Sequence, residues 1–331
     1  MTDKLRVADV DAAARHAAER LEGRVVHTAV QPYEALSSRV GARVWLKLEN
    51  QQHTGSFKFR GAVNRLLTLD EATRRRGVVV ASSGNHGAAV ARAMRELDAP
   101  GVIFVPEQVS ARKLATIRDF GADVRLYGTN GLDTELHARD YADANGMFYL
   151  SPYNDPEVIA GQGSIGVELL DDLPELDTAI IAVGGGGLLS GVASVLKTAR
   201  PDVRIVAVQP AASAVMALSV DAGRIVDADD EPTLSDGTAG GIEEGAITFE
   251  IVRELADEFV LVSEFEIATA MRDLEDDTGM VVEGAAALTL AAINLDPARY
   301  RDRSVLALIC GGNVAPDTVT MARAMAGGAA Q

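Results

Sequence analysis

One lysine in this chain has neighbours that could make its amine reactive. The stretch Gln52-His53-Thr54-Gly55-Ser56-Phe57-Lys58-Phe59-Arg60-Gly61-Ala62 sets Lys58 between two phenylalanines, with small residues outside them. Apolar surroundings disfavour the ammonium and leave a nucleophilic amine, which imine formation with an aldehyde cofactor requires. The same residues also suit a surface lysine whose stem packs on rings while its head reaches water. The stretch alone leaves both readings open. Lysine is otherwise scarce, the remaining four being Lys4, Lys47, Lys113 and Lys197.

Three glycine-rich turns follow apolar runs. Gly184-Gly185-Gly186-Gly187 lies between a predicted strand and a predicted helix and suits a phosphate, because close backbone approach and a helix dipole both favour an anion. It lacks the Lys-Ser/Thr of a P-loop, and a tight turn needed only for packing is the plainer alternative. A dinucleotide site would want an acidic residue after the next strand, which ends instead on Gln209-Pro210. Ser82-Ser83-Gly84-Asn85-His86-Gly87 offers hydroxyls, an amide and backbone N–H groups at a helix start, a cradle for a carboxylate or a ring hydroxyl. Ser83 also suits a plain N-cap, and His86 reads better as a histidine bonded to nearby backbone than as a general base. Cys310, ahead of Gly311-Gly312, reads as a buried thiol. The acid pairs Glu243-Glu244 and Asp276-Asp277 read as solvated or helix-end charges, and no His/Cys/Asp spacing suggests zinc.

The elements that must carry these residues alternate. Residues 8–22 read as a helix that Asp9 or Asp11 caps, and Arg43–Glu49 as a strand leading to Lys58. Residues 61–76 read as one helix ending on three arginines, which suits a helix C-terminus. Strands at 78–81, 101–105 and 124–127, with helices between them, predict a parallel sheet with right-handed crossovers. Strands at 147–150, 178–183, 204–209 and 304–309 follow, with helices near 131–145, 156–170, 187–199, 246–257, 264–278 and 283–294. The Gly- and Asp-rich stretch 227–245 reads as a long loop. In open parallel sheets ligands bind beyond the carboxyl ends of strands, which is where all three glycine turns fall. The expected fold is α/β, with two open lobes of mostly parallel strands.

At 331 residues the chain has room for two such lobes. A net charge of −17 argues against nucleic acid or an anionic membrane as partner. The single cysteine excludes an intrachain disulfide and points to a reducing compartment. Neither a signal core nor a bilayer-spanning apolar run occurs, so a cytoplasmic protein is expected.

Taken together, the motifs Ser56-Phe57-Lys58-Phe59-Arg60-Gly61-Ala62, Ser82–Gly87, Gly184–Gly187 and Cys310-Gly311-Gly312-Asn313 resemble, in order and spacing, the serine/threonine dehydratase family. These are fold type II pyridoxal-phosphate (PLP) enzymes, tryptophan synthase β-like, and include serine racemase. The resemblance extends to Ile159-Ala160-Gly161-Gln162-Gly163 and Val282-Glu283-Gly284-Ala285. It implies a discontinuous PLP-binding large domain (1–50 and 148–331) and a small, mobile, substrate-side domain (51–147). It implies Lys58 as Schiff-base lysine and α-proton base, with Ser83 matching a second acid/base in the racemase. Cofactor contacts are implied at Phe57, Lys58, Asn85 (to the ring hydroxyl), Gly184, Gly185, Gly186, Gly187, Leu188, Glu283 and Cys310, the last facing the ring nitrogen. The substrate side is implied at Ser82, Ser83, Gly84, Asn85, His86 and Gly237. The implied reaction is β-elimination from a hydroxy amino acid, L-threonine or L-serine, to a 2-keto acid and ammonia, with a homodimer as the assembly.

Three departures qualify the resemblance. The chain ends soon after the last motif, so neither a regulatory domain nor isoleucine feedback is expected. The segment Gln209-Pro210-Ala211-Ala212-Ser213 lacks the carboxylates of the divalent-cation site in racemase-like members, so no metal is expected there. The loop Gly237-Thr238-Ala239-Gly240-Gly241-Ile242-Glu243 is unusually rich in glycine and suits another side chain, such as 3-hydroxyaspartate. A serine or hydroxyaspartate racemase, a β-replacement enzyme and a PLP-binding protein without turnover are the rival readings.

Overall fold

A run such as Val78-Val79-Val80 has no polar face, as a strand covered on both sides requires. In the computed structural model, which describes residues 5–328, that run lies inside a parallel sheet. Residues 1–4 and 329–331, the outer ends of the expected large domain, lie outside the described residues. The strands are β1 (Val30–Pro32), β2 (Arg43–Leu48), β3 (Val78–Ala81), β4 (Gly101–Val105), β5 (Asp123–Leu126), β6 (Phe148–Tyr149), β7 (Thr178–Ala182), β8 (Arg204–Pro210), β9 (Glu258–Val262) and β10 (Ser304–Ile309). They form two sheets, one ordered β1-β2-β10-β7-β8-β9 and one ordered β5-β4-β3-β6. Every pairing is parallel except β1 with β2. The architecture is the expected α/β one with two mostly parallel sheets.

The larger sheet takes strands from both ends of the chain and the smaller from residues 78–149. Phe148 and Tyr149 pair with Val78 and Val79, so the small sheet runs past the expected boundary at 147. Each sheet has its own core, Ile180, Val206 and Leu306 in the larger and Val80, Ile103 and Leu66 in the smaller.

Several local readings are corrected. Residues 61–76 break into helices Lys58–Thr68 and Glu71–Arg76, because Asp70 caps the second through the Thr73 N–H. Neither Asp9 nor Asp11 caps the first helix. Arg6 is its N-cap, Asp9 pairs with Arg6, and Asp11 pairs with Arg15. Strand β9 and the helices Glu34–Val40, Val215–Ala222 and Pro316–Gly327 were not anticipated. The loop over 227–245 has neither helix nor strand, as expected.

Helix Pro156–Asp172 packs against the helices that start at Lys58 and at Gly187, and so sets both ends of the site. Its approach to the Lys58 helix is close. A Cβ on Gly161 would lie 2.6 Å from the Gly61 Cα, and one on Gly61 would lie 2.8 Å from the Val158 carbonyl. The Gly61 N–H donates to Gln162 Oε1 at 3.2 Å. Below this contact Arg60, fully buried, donates to both oxygens of buried Glu49 at 2.8 Å and to Glu168 at 2.6 Å. Buried Lys47 donates to Glu168 at 2.6 Å as well. This paired network, two residues beyond Lys58, fixes how its helix starts.

Candidate active site

Lys58 is the first residue of its helix, and the loop before it is stitched to the loop after β10. Ser56 bridges Gly311, and the Phe57 N–H donates to the Cys310 carbonyl at 3.0 Å. Gly55, at φ +72°, has Asn313 where a side chain would go. The turns after β3, β7 and β10 thus open on one cavity of about 700 Å³. Every site residue expected from the sequence lines it, from Phe57 and Lys58 through Ser82–His86, Gly184–Leu188 and Gly237 to Glu283 and Cys310.

Lys58 Nζ donates to the Pro152 carbonyl at 3.0 Å and lies 5.1 Å from the centre of the Phe57 ring. Burial lowers its pKa to about 8, against the opposing pull of Cys310 and Glu283. Only Phe57 flanks the amine. Phe59 turns into the smaller sheet's core, between His53 and Arg92.

After β3, the Ser82 hydroxyl accepts from the Gly84 N–H at 3.2 Å and helix Asn85–Glu96 begins. Gly84, not Ser83, is the N-cap, and the Ser83 hydroxyl has no hydrogen-bond partner among the described residues. His86 behaves as the plainer reading held. Its Nε2 contacts the Leu150 carbonyl at 3.1 Å, and burial lowers its pKa to about 3, leaving a neutral imidazole.

After β7, Gly186 takes φ +85°, and helix Gly187–Ala199 starts at the cavity wall. The Tyr153 ring lies where a Gly185 side chain would stand, 2.5 Å from an added Cβ, and the Thr238 backbone would lie 3.0 Å from a Cβ added to Gly184. Thr248 Oγ1 donates to the Gly185 carbonyl at 2.7 Å. The cradle is thus bare backbone at a helix start, braced from below, and suited to an anion. With an amine of lowered pKa in the same cavity, the donor set fits a phosphorylated aldehyde.

After β10, Cys310 is buried and its thiol is pushed well above its ordinary pKa, chiefly by burial. Its Sγ lies 3.9 Å from Glu283 Oε1. Asn85 Nδ2 lies 2.9 and 3.0 Å from the two Glu283 oxygens. Gln209 is also buried, and its Oε1 accepts from the Ala217 N–H at 2.8 Å.

Sequence reading missed three contributors. Tyr153 braces the cradle, and its hydroxyl accepts from the Glu243 N–H at 3.0 Å. Its position just past a short strand, after Pro152, was the available signal. Asn313 holds Asn85, donating to its Oδ1 at 2.8 Å. Lys113 pairs with Asp236 on the cavity lining. Glu243 is not simply solvated, since it pairs with Arg139 at 2.9 Å. In the loop between them, an added Cβ on Gly240 or Gly241 would meet nothing within 4 Å, and one on Gly237 only Ala285 and Glu283 at ordinary contact distance.

Comparison with known proteins agrees with this geometry. The profile of the family described as pyridoxal-phosphate dependent enzyme matches residues 21–311. The chain is 40% identical over 301 residues to the catabolic L-threonine dehydratase of Escherichia coli (strain K12), covering 90% of this chain and 91% of that one. It superposes on the processed form of threonine deaminase isoform 2 from Solanum lycopersicum with a TM-score of 0.92 at 30% identity, over 97% and 88% of the two chains. On maize serine racemase the TM-score is 0.88 at 32% identity, over 94% and 96%.

Proposed function

The chain belongs to the pyridoxal-phosphate dependent enzymes, and from that membership we propose that it dehydrates and deaminates a hydroxy amino acid, L-threonine or L-serine, to a 2-keto acid and ammonia. The observation that carries this reading is the Lys58 amine, with its pKa lowered to about 8, in one cavity with a braced glycine cradle and the Ser82–His86 loop.

Bound here, pyridoxal phosphate supplies an electron sink that makes the substrate α-proton acidic. Gly184 to Leu188 would hold the phosphate through backbone N–H groups at the helix start, and Lys58 would hold the aldehyde carbon. Lys58 Nζ would be the base for the substrate α-proton, a role suited to an amine whose pKa lies near the working pH. The Ser82–His86 loop binds the substrate carboxylate through hydroxyl and backbone donors. Cys310 would offer the cofactor ring a neutral thiol, a weaker partner for a ring nitrogen than a carboxylate, which would favour elimination over transamination.

Racemisation is the second reading, favoured by the Ser83 hydroxyl, which lines the cavity of Lys58 and has no hydrogen-bond partner among the described residues. Both are tested by assaying PLP-loaded protein on L-threonine, both serine enantiomers and 3-hydroxyaspartate, with and without EDTA. Keto acid from L-threonine or L-serine, unaffected by EDTA, is the expected result. Interconversion of serine enantiomers without keto acid would favour the racemase, and no turnover with the cofactor spectrum intact would sink the substrate class.

A further inference from the structure

Glu283 is the only nearly fully buried carboxylate among the side chains that line the cavity, at 5% exposure. No cation lies within ion-pair distance of it among the described residues. Although it is the N-cap of helix Gly284–Leu295, its side chain does not cap that helix. Both oxygens instead face the Asn85 amide nitrogen, at 2.9 and 3.0 Å. The other end of that carboxamide is also held, because Asn313 Nδ2 donates to Asn85 Oδ1 and to the Thr54 carbonyl, both at 2.8 Å. Asn85 begins a helix packed on the smaller sheet, whereas Glu283 and Asn313 flank the end of β10 in the larger one. Gly311 leaves room for the arrangement, since a Cβ there would lie 2.5 Å from Glu283 Oε1.

We propose that Glu283 is a positioning residue whose carboxylate fixes the orientation of the Asn85 carboxamide and fastens the start of the Asn85 helix to the larger lobe. This rests on cofactor binding in the cavity. A carboxylate can accept from Asn85 at both oxygens, whereas a protonated carboxyl turns one of them into a donor. The grip therefore depends on charge. Burial raises the Glu283 pKa to about 7, and Asp236 raises it further. The Asn85 amide, the Asn313 N–H and the Lys58 ammonium oppose that rise. Cys310, the other neighbour, is neutral. The two-oxygen grip is half formed near pH 7, complete well above it and lost as pH falls below it.

The test uses PLP-loaded wild type, Glu283→Gln, Asn85→Ala and the double variant. It reads the visible cofactor spectrum against pH, the cofactor dissociation constant and the melting temperature. Glu283→Gln keeps the size but not the charge, and it sets one amide N–H against another. The expected results are a spectral inflection near pH 7 in wild type that Glu283→Gln lacks, and cofactor binding weakened roughly tenfold. Because Glu283 acts through Asn85, the double variant binds no more weakly than Asn85→Ala alone. Should Glu283→Gln fail to fold, Glu283→Asp keeps the charge on a shorter stem, and retains the inflection with weakened cofactor binding. An unchanged inflection in Glu283→Gln, additive losses in the double variant, or wild-type binding in Glu283→Asp overturns the proposal alone. Wild type that takes up no pyridoxal phosphate overturns both it and the function above.

Discussion

Lys113 Nζ lies 2.9 Å from Asp236 Oδ2, so a helix on the smaller sheet is tied to the glycine-rich loop of the larger lobe across the cavity lining. A second tie, Arg139 to Glu243, joins the next helix to the far end of the same loop. Both pairs are partly exposed, so each is weak and screened by salt. Lys113→Ala and Asp236→Asn should each raise the substrate KM a few-fold at low salt, with little effect at high salt. A double-mutant cycle should give a coupling of roughly 0.5 kcal/mol. Additive effects that ignore salt would show that the two residues act separately.

Lys58 has a lowered pKa, so its ammonium is costly in the folded state. In cofactor-free protein the unfolded chain binds this proton more readily than the folded one between pH 8 and 10.5. Stability therefore rises with pH across that window, and the full cost is present below pH 8. Lys58→Met should abolish turnover yet stabilise the cofactor-free protein at pH 7 by on the order of 2 kcal/mol. Calorimetric melts would read this as a gain of a few degrees that shrinks toward pH 10.5. A lower melting temperature at pH 7 would contradict the assigned burial.

Gly185→Ala would drive a methyl into the Tyr153 ring, where an added Cβ stands at 2.5 Å. Titration of the cofactor by absorbance should show affinity reduced about a hundredfold or more, about 3 kcal/mol. Adding Tyr153→Ala should return part of that loss by making room. Failure of the second change to help would place the damage in the glycine backbone itself.

Arg60→Met would leave Glu49 buried without its cation. Removing one partner of a buried pair costs about 3–5 kcal/mol, so urea midpoints should fall sharply. Arg60→Met combined with Glu49→Leu should recover much of the loss, because neither charge then stays buried alone. Equal destabilisation of the single and double variants would mean that packing, not charge, carries the site.

Much of the site was legible because its residues cluster in short motifs at strand ends. The run at 78–80 announced a covered strand, and the tetraglycine announced a turn that only bare backbone can make. What stayed hidden was set by contacts between distant segments. The break at Leu69–Asp70 depends on a cap that competes with an otherwise continuous helical pattern. Strand β9 pairs along the edge of β8, and its run Phe259-Val260-Leu261-Val262 carried a strand signal that the helix predicted just before it obscured. Tyr153 and Asn313 matter through partners ninety and more than two hundred positions away. Glu243 looked solvated beside Glu244 because Arg139 lies a hundred residues earlier.

The glycines of the loop between Asp236 and Glu243 divide the molecule by how freely it can change. Behind Lys58, Gly61 and Gly161 leave no space for even one more carbon, so the helix contact that positions the amine is closed to larger side chains. At Gly241 an added carbon meets nothing within 4 Å, and at Gly237 it meets only ordinary contacts. New side chains can therefore be grown into the substrate side while the chemistry stays where it is. Divergence toward other amino acids has its most open route at Gly241, where one added carbon meets no neighbour.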